Sequence, residues 1–295
     1  MSPGSYPPVA RQASATLSIG QCATLACLLE ATAPKVGNVH RSADFADLSF
    51  TDFAVAGVVI GPAMEAAVQS GIGVAVLAAV EATQGLVNTN VNLSIALLLA
   101  PLAAVPRGQP LTSGVQQVLQ QLTTEDCRMV YEAIRLANPG GLGKVDAMDV
   151  ADAPPADLLA AMGAAAPRDL VAAQYLTEFS LVLSEVLPRL VAGRSRGWSL
   201  TTAIIHTHLQ LLAEHEDSLV ARKCGPEMAQ RVSHMANQVL AAGAPEDESY
   251  FAAVADFDFW LRSDGHRRNP GTTADIMAAA LFAGLRDGLL QPPYR

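Results

Sequence analysis

The sequence predicts an all-α fold, a single large helical bundle, and three observations carry that expectation. Hydrophobic residues make up 51% of the 295-residue chain but aromatics only 5%, so the core must be built from Ala, Leu and Val. Such side chains pack well between helices, whereas a β-sandwich draws on aromatic and β-branched residues. Apolar residues also recur at helical spacing along most of the chain. Finally, no run of alternating apolar and polar residues marks a strand, and no segment repeats.

Taken in order, residues 1–17 hold Pro and Ser but no apolar signal-peptide core, and are expected to be a flexible lead-in to one domain over 18–295. The first helix is expected over 18–33, with Pro34 ending it. Helical patterns rich in small residues follow over 50–69 and 73–83. A polar knot, TQGLVNTNVN, separates them from the apolar run SIALLLAPL, and VPRGQPLTSG over 105–114 has loop composition. TTEDCRMVYEAIRLA over 123–137 reads as a capped helix, because Thr123 and Asp126 form a capping box and Met129, Val130, Ala133, Ile134 and Ala137 share one face. Further helices are expected over 155–163, 167–191, 199–214, 224–242 and 272–287, the last with a capping box from Thr272 to Asp275.

The totals also exclude partners. With a formal net charge of -9 the chain gains little from a phosphate backbone, which argues against nucleic acid. The apolar runs near 71–80 and 91–105 fall below the roughly 18 residues of a spanning helix, so no membrane segment is expected. Cys22, Cys27, Cys127 and Cys224 are too few for a disulfide framework and too scattered for a metal knuckle, consistent with a reducing, cytoplasmic setting. The Ala-rich faces suit either a core or a homodimer interface.

Three motifs fail on their own terms. GGLGKV over 140–145 places Asn138 and Val145 where a phosphate loop needs Gly or Ala and Ser or Thr. GIGVAV lacks the third glycine of a dinucleotide fingerprint. His206 and His208 diverge on a helix and His215 lies two turns beyond His208, so the three do not make a zinc site by themselves.

Several polar segments are overdressed for structure alone. ATAPKVGNVHRSADF packs Lys35, Asn38, His40, Arg41 and Asp44 between apolar runs. NTNVN carries Asn88, Thr89, Asn90 and Asn92; KVDAMDV sets Asp146 and Asp149 three apart. EDSLVARKCG holds Asp217, Arg222 and Lys223, APRDLVAAQY opens on Arg168 and Asp169, and RRNPGTTAD ends in Asn269, Thr272 and Asp275. Singly, each is explained by caps, solvated acids or a surface ion pair such as Asp217 with Arg222. Together they combine cations and helix N-termini for phosphates, carboxylates for a divalent ion, and amides for a ribose or base. That set suggests a nucleotide–metal site at one end of a helical bundle.

In the same order along about residues 20 to 290, these blocks resemble the triphosphoribosyl-dephospho-CoA synthase family. The opening stretch is similar to its K-P-G-N-V-H-R segment and QGLVNTNVN to its G-G-x-N-T segment. NPGGLGKVDAMDV, AAPRDLVAAQY, EDSLVARKCG and RNPGTTADIMAAALF resemble further blocks. The likeness is to the shorter branch of the family. Val36 stands where the family has Pro, and Asn90-Val91-Asn92 where the better-known branch has His-Lys-Gly, so the nucleotide-handling blocks are kept better than the acceptor-specific ones.

The resemblance implies an all-α, ATP-dependent transferase in which the 2′-hydroxyl of 3′-dephospho-CoA, or a related small-molecule acceptor, attacks C1 of the ATP ribose. Adenine leaves, the triphosphate stays on the sugar, and Mg²⁺ accompanies it. Under that chemistry Asp44, Asp52 and Asp217 are the candidate catalytic bases. Lys35, Asn38, His40, Arg41, Asn88, Thr89, Arg222, Lys223, Asn269 and Thr272 are expected to contact ATP, and Asp146 and Asp149 to hold the metal. Another ATP-dependent enzyme of cofactor biosynthesis or one-carbon metabolism on the same scaffold, for example a kinase, or a non-catalytic nucleotide-binding helical protein, is the alternative.

Overall fold

The structure is a computed structural model that describes residues 16–87, 89–139 and 148–294. Among these residues it is all-α: fourteen α-helices, 68% helical, with one short extended stretch, Ser263–His266. In chain order the helices are α1 (Ile19–Thr32), α2 (Phe50–Ser70), α3 (Ile72–Gln84), α4 (Leu93–Ala103), α5 (Leu111–Gln120), α6 (Thr124–Ala137) and α7 (Leu158–Ala165). They continue with α8 (Leu170–Leu176), α9 (Leu187–Ser195), α10 (Leu200–Glu214), α11 (Ser218–Cys224), α12 (Pro226–Ala241), α13 (Glu248–Arg262) and α14 (Gly271–Arg286).

Two helices are buried all round and organise the rest. From Ile276 to Leu285 every residue of α14 is buried, and from Ile95 to Ala103 the same holds for α4. A helix apolar on every face belongs inside a bundle. α14 packs against α1, α4 and the helices from α8 to α11, while α4 packs against α2, α3 and α14. A second apolar cluster ties α10, α12 and α13 together and takes in Val36 from the loop after α1. That contact anchors the polar stretch found in the sequence.

Small residues set the closest helix contacts. A Cβ at Gly73 would stand 2.5 Å from Asp126 Cα, and the Gly73 amide donates to Asp126 Oδ1 at 2.8 Å, so α3 and α6 meet backbone to backbone. Gly73→Ala is therefore expected to destabilise the protein by about 1–3 kcal/mol, the usual cost of overpacking, which urea denaturation would measure. Asp126 serves twice, since the capping box with Thr123 expected from sequence is present.

The structure corrects several boundaries. Residues 167–191 are not one helix: α8 stops at Leu176, Glu178 and Phe179 take positive φ values of 52° and 62°, and the chain resumes as a π-helical segment, Leu181–Val186, that runs into α9. The two axes differ by 97°. Side-chain burial competes with helix continuity here, because the turn buries Phe179 completely while the Tyr175 hydroxyl donates to Leu97 O at 2.7 Å. The expected 105–114 loop ends at Pro110, where α5 begins, and α11 and α13 were not anticipated. α2 is long and apolar enough to span a membrane by length and composition, which an inspection of shorter runs overlooks; in the bundle its inner face lies against α1, α3 and α4.

Candidate active site

The N-termini of α4 and α14 open on one cleft of about 620 Å³. The end of α1, the loop from residue 33 to 49, the segment before α4, and α11 complete its walls. Neither Asn92, the N-cap of α4, nor Pro270, the N-cap of α14, caps its helix with its own side chain; Asn90 Oδ1 accepts from the Leu93 amide at 3.3 Å, and Asp217 Oδ2 takes the Thr273 amide in the first turn of α14. The helix dipole still favours an anion at the start of α4, where no carboxylate among the described residues is bonded to the amides.

Cations gather on one side. Arg222 and Lys223 project from α11, and His266 stands before α14 with its Nδ1 2.8 Å from Asp47 Oδ1. Arg222 Nη1 donates to Asp169 Oδ2 at 2.6 Å, while its Nε is buried without a partner. Asp169 in turn caps α8 by accepting from the Val171 amide, so the guanidinium is held in a fixed direction. Burial holds the Lys223 ammonium below its usual pKa, against the pull of Asp47.

Acids line the cleft as well. Glu30, near the end of α1, is almost fully buried and pairs with Lys35 Nζ at 2.9 Å. Asp275, one turn into α14, lines the same cleft near enough to Glu30 to feel its charge. Burial pushes the Asp275 carboxyl well above the usual range, the charges of Glu30 and Asp217 push it further, and the Ser94 hydroxyl pulls the other way. Amides close the end: Asn38 Nδ2 donates to Asn269 Oδ1 at 2.6 Å, which leaves Asn38 Oδ1 buried and unpartnered.

A second, apolar chamber of about 170 Å³ adjoins the cleft between α4, α6, α7 and α8. Leu93, Ser94, Pro139 and Arg222 line both spaces.

A cleft that brings together cations and two carboxylates is suited to a polyphosphate joined to a reacting sugar, and the comparisons with known proteins give a family with such a reaction. Residues 16–293 match the CitG family model, ATP:dephospho-CoA triphosphoribosyl transferase. The chain belongs to that family. Among solved structures it is similar to one from Archaeoglobus fulgidus, provisionally named a triphosphoribosyl-dephospho-CoA synthase, with a TM-score of 0.60 and 22% sequence identity. That likeness covers 80% of this chain and 99% of the other, and concerns the fold. No curated protein sequence matches the chain.

Of the contacts expected of this transferase from sequence, Asn38, Thr89, Arg222, Lys223, Asn269 and Thr272 meet in the cleft. Lys35 stands behind it, fully buried, and donates to the Glu30 and Ala33 carbonyls as well as pairing with the Glu30 carboxylate. Arg41 is exposed, and His40 is buried away from the cleft, its pKa lowered to about 4 by burial and the Arg262 charge. Asn88 and Asp146 fall outside the described residues. Asp149 lines the apolar chamber, where its Oδ1 accepts from the Ala151 amide at 2.8 Å.

The three expected bases have other partners. Asp44 is exposed and accepts from the Phe50 amide at 2.7 Å. Asp52 closes a capping box with Ser49 at the start of α2. Asp217 is completely buried; it accepts from the amides of Leu219 and Val220 to cap α11, and from the amide and hydroxyl of Thr273, each at 2.8 Å. It therefore ties α11 to the start of α14 and sets the cations against the acids. Asp217→Ala orphans these donors and is expected to destabilise the fold by about 3 kcal/mol or more, measurable as a lowered denaturation midpoint.

Sequence reasoning missed Glu30 and Asp275 as site residues. Glu30 reads as a polar break in α1, yet a carboxylate in an apolar stretch was itself a signal. Asp275 reads as a capping-box partner of Thr272, but α14 starts at Gly271 and makes no such box. Thr272 instead accepts from the Ser218 hydroxyl at 3.0 Å, and Asp275 is free to face the cleft. The histidines of α10 do not converge: His206 bonds the Tyr250 hydroxyl, His208 is fully buried and His215 lies near Glu185.

Proposed function

We infer that this chain transfers the 5-triphosphoribosyl group of ATP to the 2′-hydroxyl of 3′-dephospho-CoA, releasing adenine. The observation that carries this reading is the cleft of the family member, which brings the Glu30 and Asp275 carboxylates together with Arg222, Lys223 and the N-termini of α4 and α14. The triphosphate belongs with the cations, where the Arg222 guanidinium, held in place by Asp169, and Lys223 supply positive charge and the N-terminus of α4 adds a partial one. The ribose then lies toward the carboxylates.

Transfer makes a C1–O bond to the acceptor and breaks the C1–N bond to adenine, whose nitrogen keeps the bonding pair. Positive charge develops on the sugar as adenine departs, and Glu30, fixed by its ion pair with Lys35, is placed to stabilise it. Asp275 takes the proton of the 2′-hydroxyl. A carboxylate is ordinarily a weak base at neutral pH, and its setting makes this one stronger. The proton lost by the hydroxyl is balanced by the one adenine gains, so the reaction needs no outside acid.

Mg²⁺ fits the donor set, since such ions take one or two carboxylates together with substrate phosphates. Asp47 and the unpartnered Asn38 Oδ1 supply hard oxygen ligands in the wall of the cleft. Bound there, the ion would neutralise triphosphate charge. Asp47→Asn is expected to raise the Mg²⁺ concentration needed for half-maximal rate, with a smaller effect at saturating metal.

Arg222→Ala is expected to raise the KM for ATP roughly 10- to 100-fold, the usual weight of a charge-assisted hydrogen bond. With ATP labelled in the ribose, the reading predicts label on dephospho-CoA. Label recovered only in ADP would indicate a kinase and overturn it.

A further inference from the structure

We propose that the apolar chamber beside the cleft is the subsite for an adenine ring. The assignment rests on the transferase reading above and extends it to the adenine ring, whose flat faces suit an apolar wall better than a charged one. Both substrates of that reaction carry adenine, a flat heteroaromatic ring, while the cleft wall is dominated by charged and amide side chains. The chamber is mainly apolar, with Asp149, Arg168, Asp169 and Arg222 also in its lining: Leu97 from α4, Val130 and Ile134 from α6, Met162 from α7 and Val171 from α8 surround it. Tyr131 presents its ring there, because its hydroxyl is spent on the Met148 carbonyl at 3.0 Å.

Continuity decides between a packing defect and a subsite. Ser94 and Arg222 line both the chamber and the cleft, so a ligand with phosphates against Arg222 can pass its base directly into apolar surroundings. The Arg222–Asp169 pair stands at that junction and separates charge from apolar surface. Enclosure of a ring there removes apolar surface from water and leaves its edge toward the polar rim. For ATP, the junction sets the glycosidic bond at the boundary between the two spaces; for dephospho-CoA, it sets the adenosine end there.

Ala161→Phe fills the chamber from α7, and Ala164→Phe does so from a more exposed position that disturbs packing less. Equilibrium dialysis with labelled free adenine, a probe with neither phosphate nor pantetheine, is the direct test. Wild-type protein is expected to bind adenine, and whichever variants fold to weaken that binding tenfold or more. In turnover the same variants are expected to raise the KM of one substrate: ATP if the chamber holds the leaving base, dephospho-CoA if it holds the acceptor's. No adenine binding by the wild type, or unchanged binding in folded variants, overturns the proposal even if the enzyme turns over. Adenine binding lost in the variants of a wild type that performs no transfer would uphold the subsite and remove the reaction.

Discussion

Asp275→Asn is expected to lower kcat by about 10²- to 10⁴-fold, the range for loss of a proton-transfer group, while ATP still binds. The side chain keeps its size and its place one turn into α14, so the fold is not at issue. The pH profile provides the sharper check. A base acts when deprotonated, so the wild-type rate should rise with pH through an apparent pKa above the ordinary carboxylate range. Two neighbours move that limb in opposite directions. Glu30→Gln removes a negative charge that favours the protonated acid, and should shift the limb to lower pH. Ser94→Ala removes a hydrogen bond that favours the carboxylate, and should shift it to higher pH. Limbs that stay together in both variants would take the proton transfer away from Asp275.

Lys35→Ala is expected to cost about 3–5 kcal/mol of stability, because it leaves Glu30 nearly buried with no counter-charge. Chemical denaturation would show this as a large fall in the midpoint. Replacing both partners, Lys35→Met with Glu30→Met, should restore much of the stability, since a buried ion pair is commonly no better than an apolar pair of similar volume. Activity should not return, because Glu30 is also a wall of the cleft. Recovered stability without recovered turnover would separate the positioning role of Lys35 from the part Glu30 plays in the reaction.

The fold was largely legible because its signals are local. Thr123 and Asp126 cap α6 as the short motif predicts, and the apolar runs of α4 and α14 became central helices. The break after Leu176 was not legible, since no Gly or Pro marks it and the turn is stabilised by the burial of Phe179 and the Tyr175 bond to α4. The site was legible in part. Segments rich in Asn, Arg and Lys did converge, because those side chains at helix ends have few structural reasons to be there. The acids were harder to sort: Asp52 and Asp217 proved to be caps, while Asp275, which looked like a cap, faces the cleft. Which carboxylate is taken up by backbone amides depends on where a helix starts, and moving the N-cap two residues, from Thr272 to Pro270, reverses the role.

The most direct test of the central reading is to quantify free adenine by mass spectrometry after incubation with ATP and Mg²⁺, with and without 3′-dephospho-CoA. Triphosphoribosyl transfer predicts adenine in step with a dephospho-CoA product heavier by one triphosphoribosyl group, and little adenine when the acceptor is left out. ATP consumed to ADP with the glycosidic bond intact, or ATP bound with no adenine formed in the presence of acceptor, would contradict it.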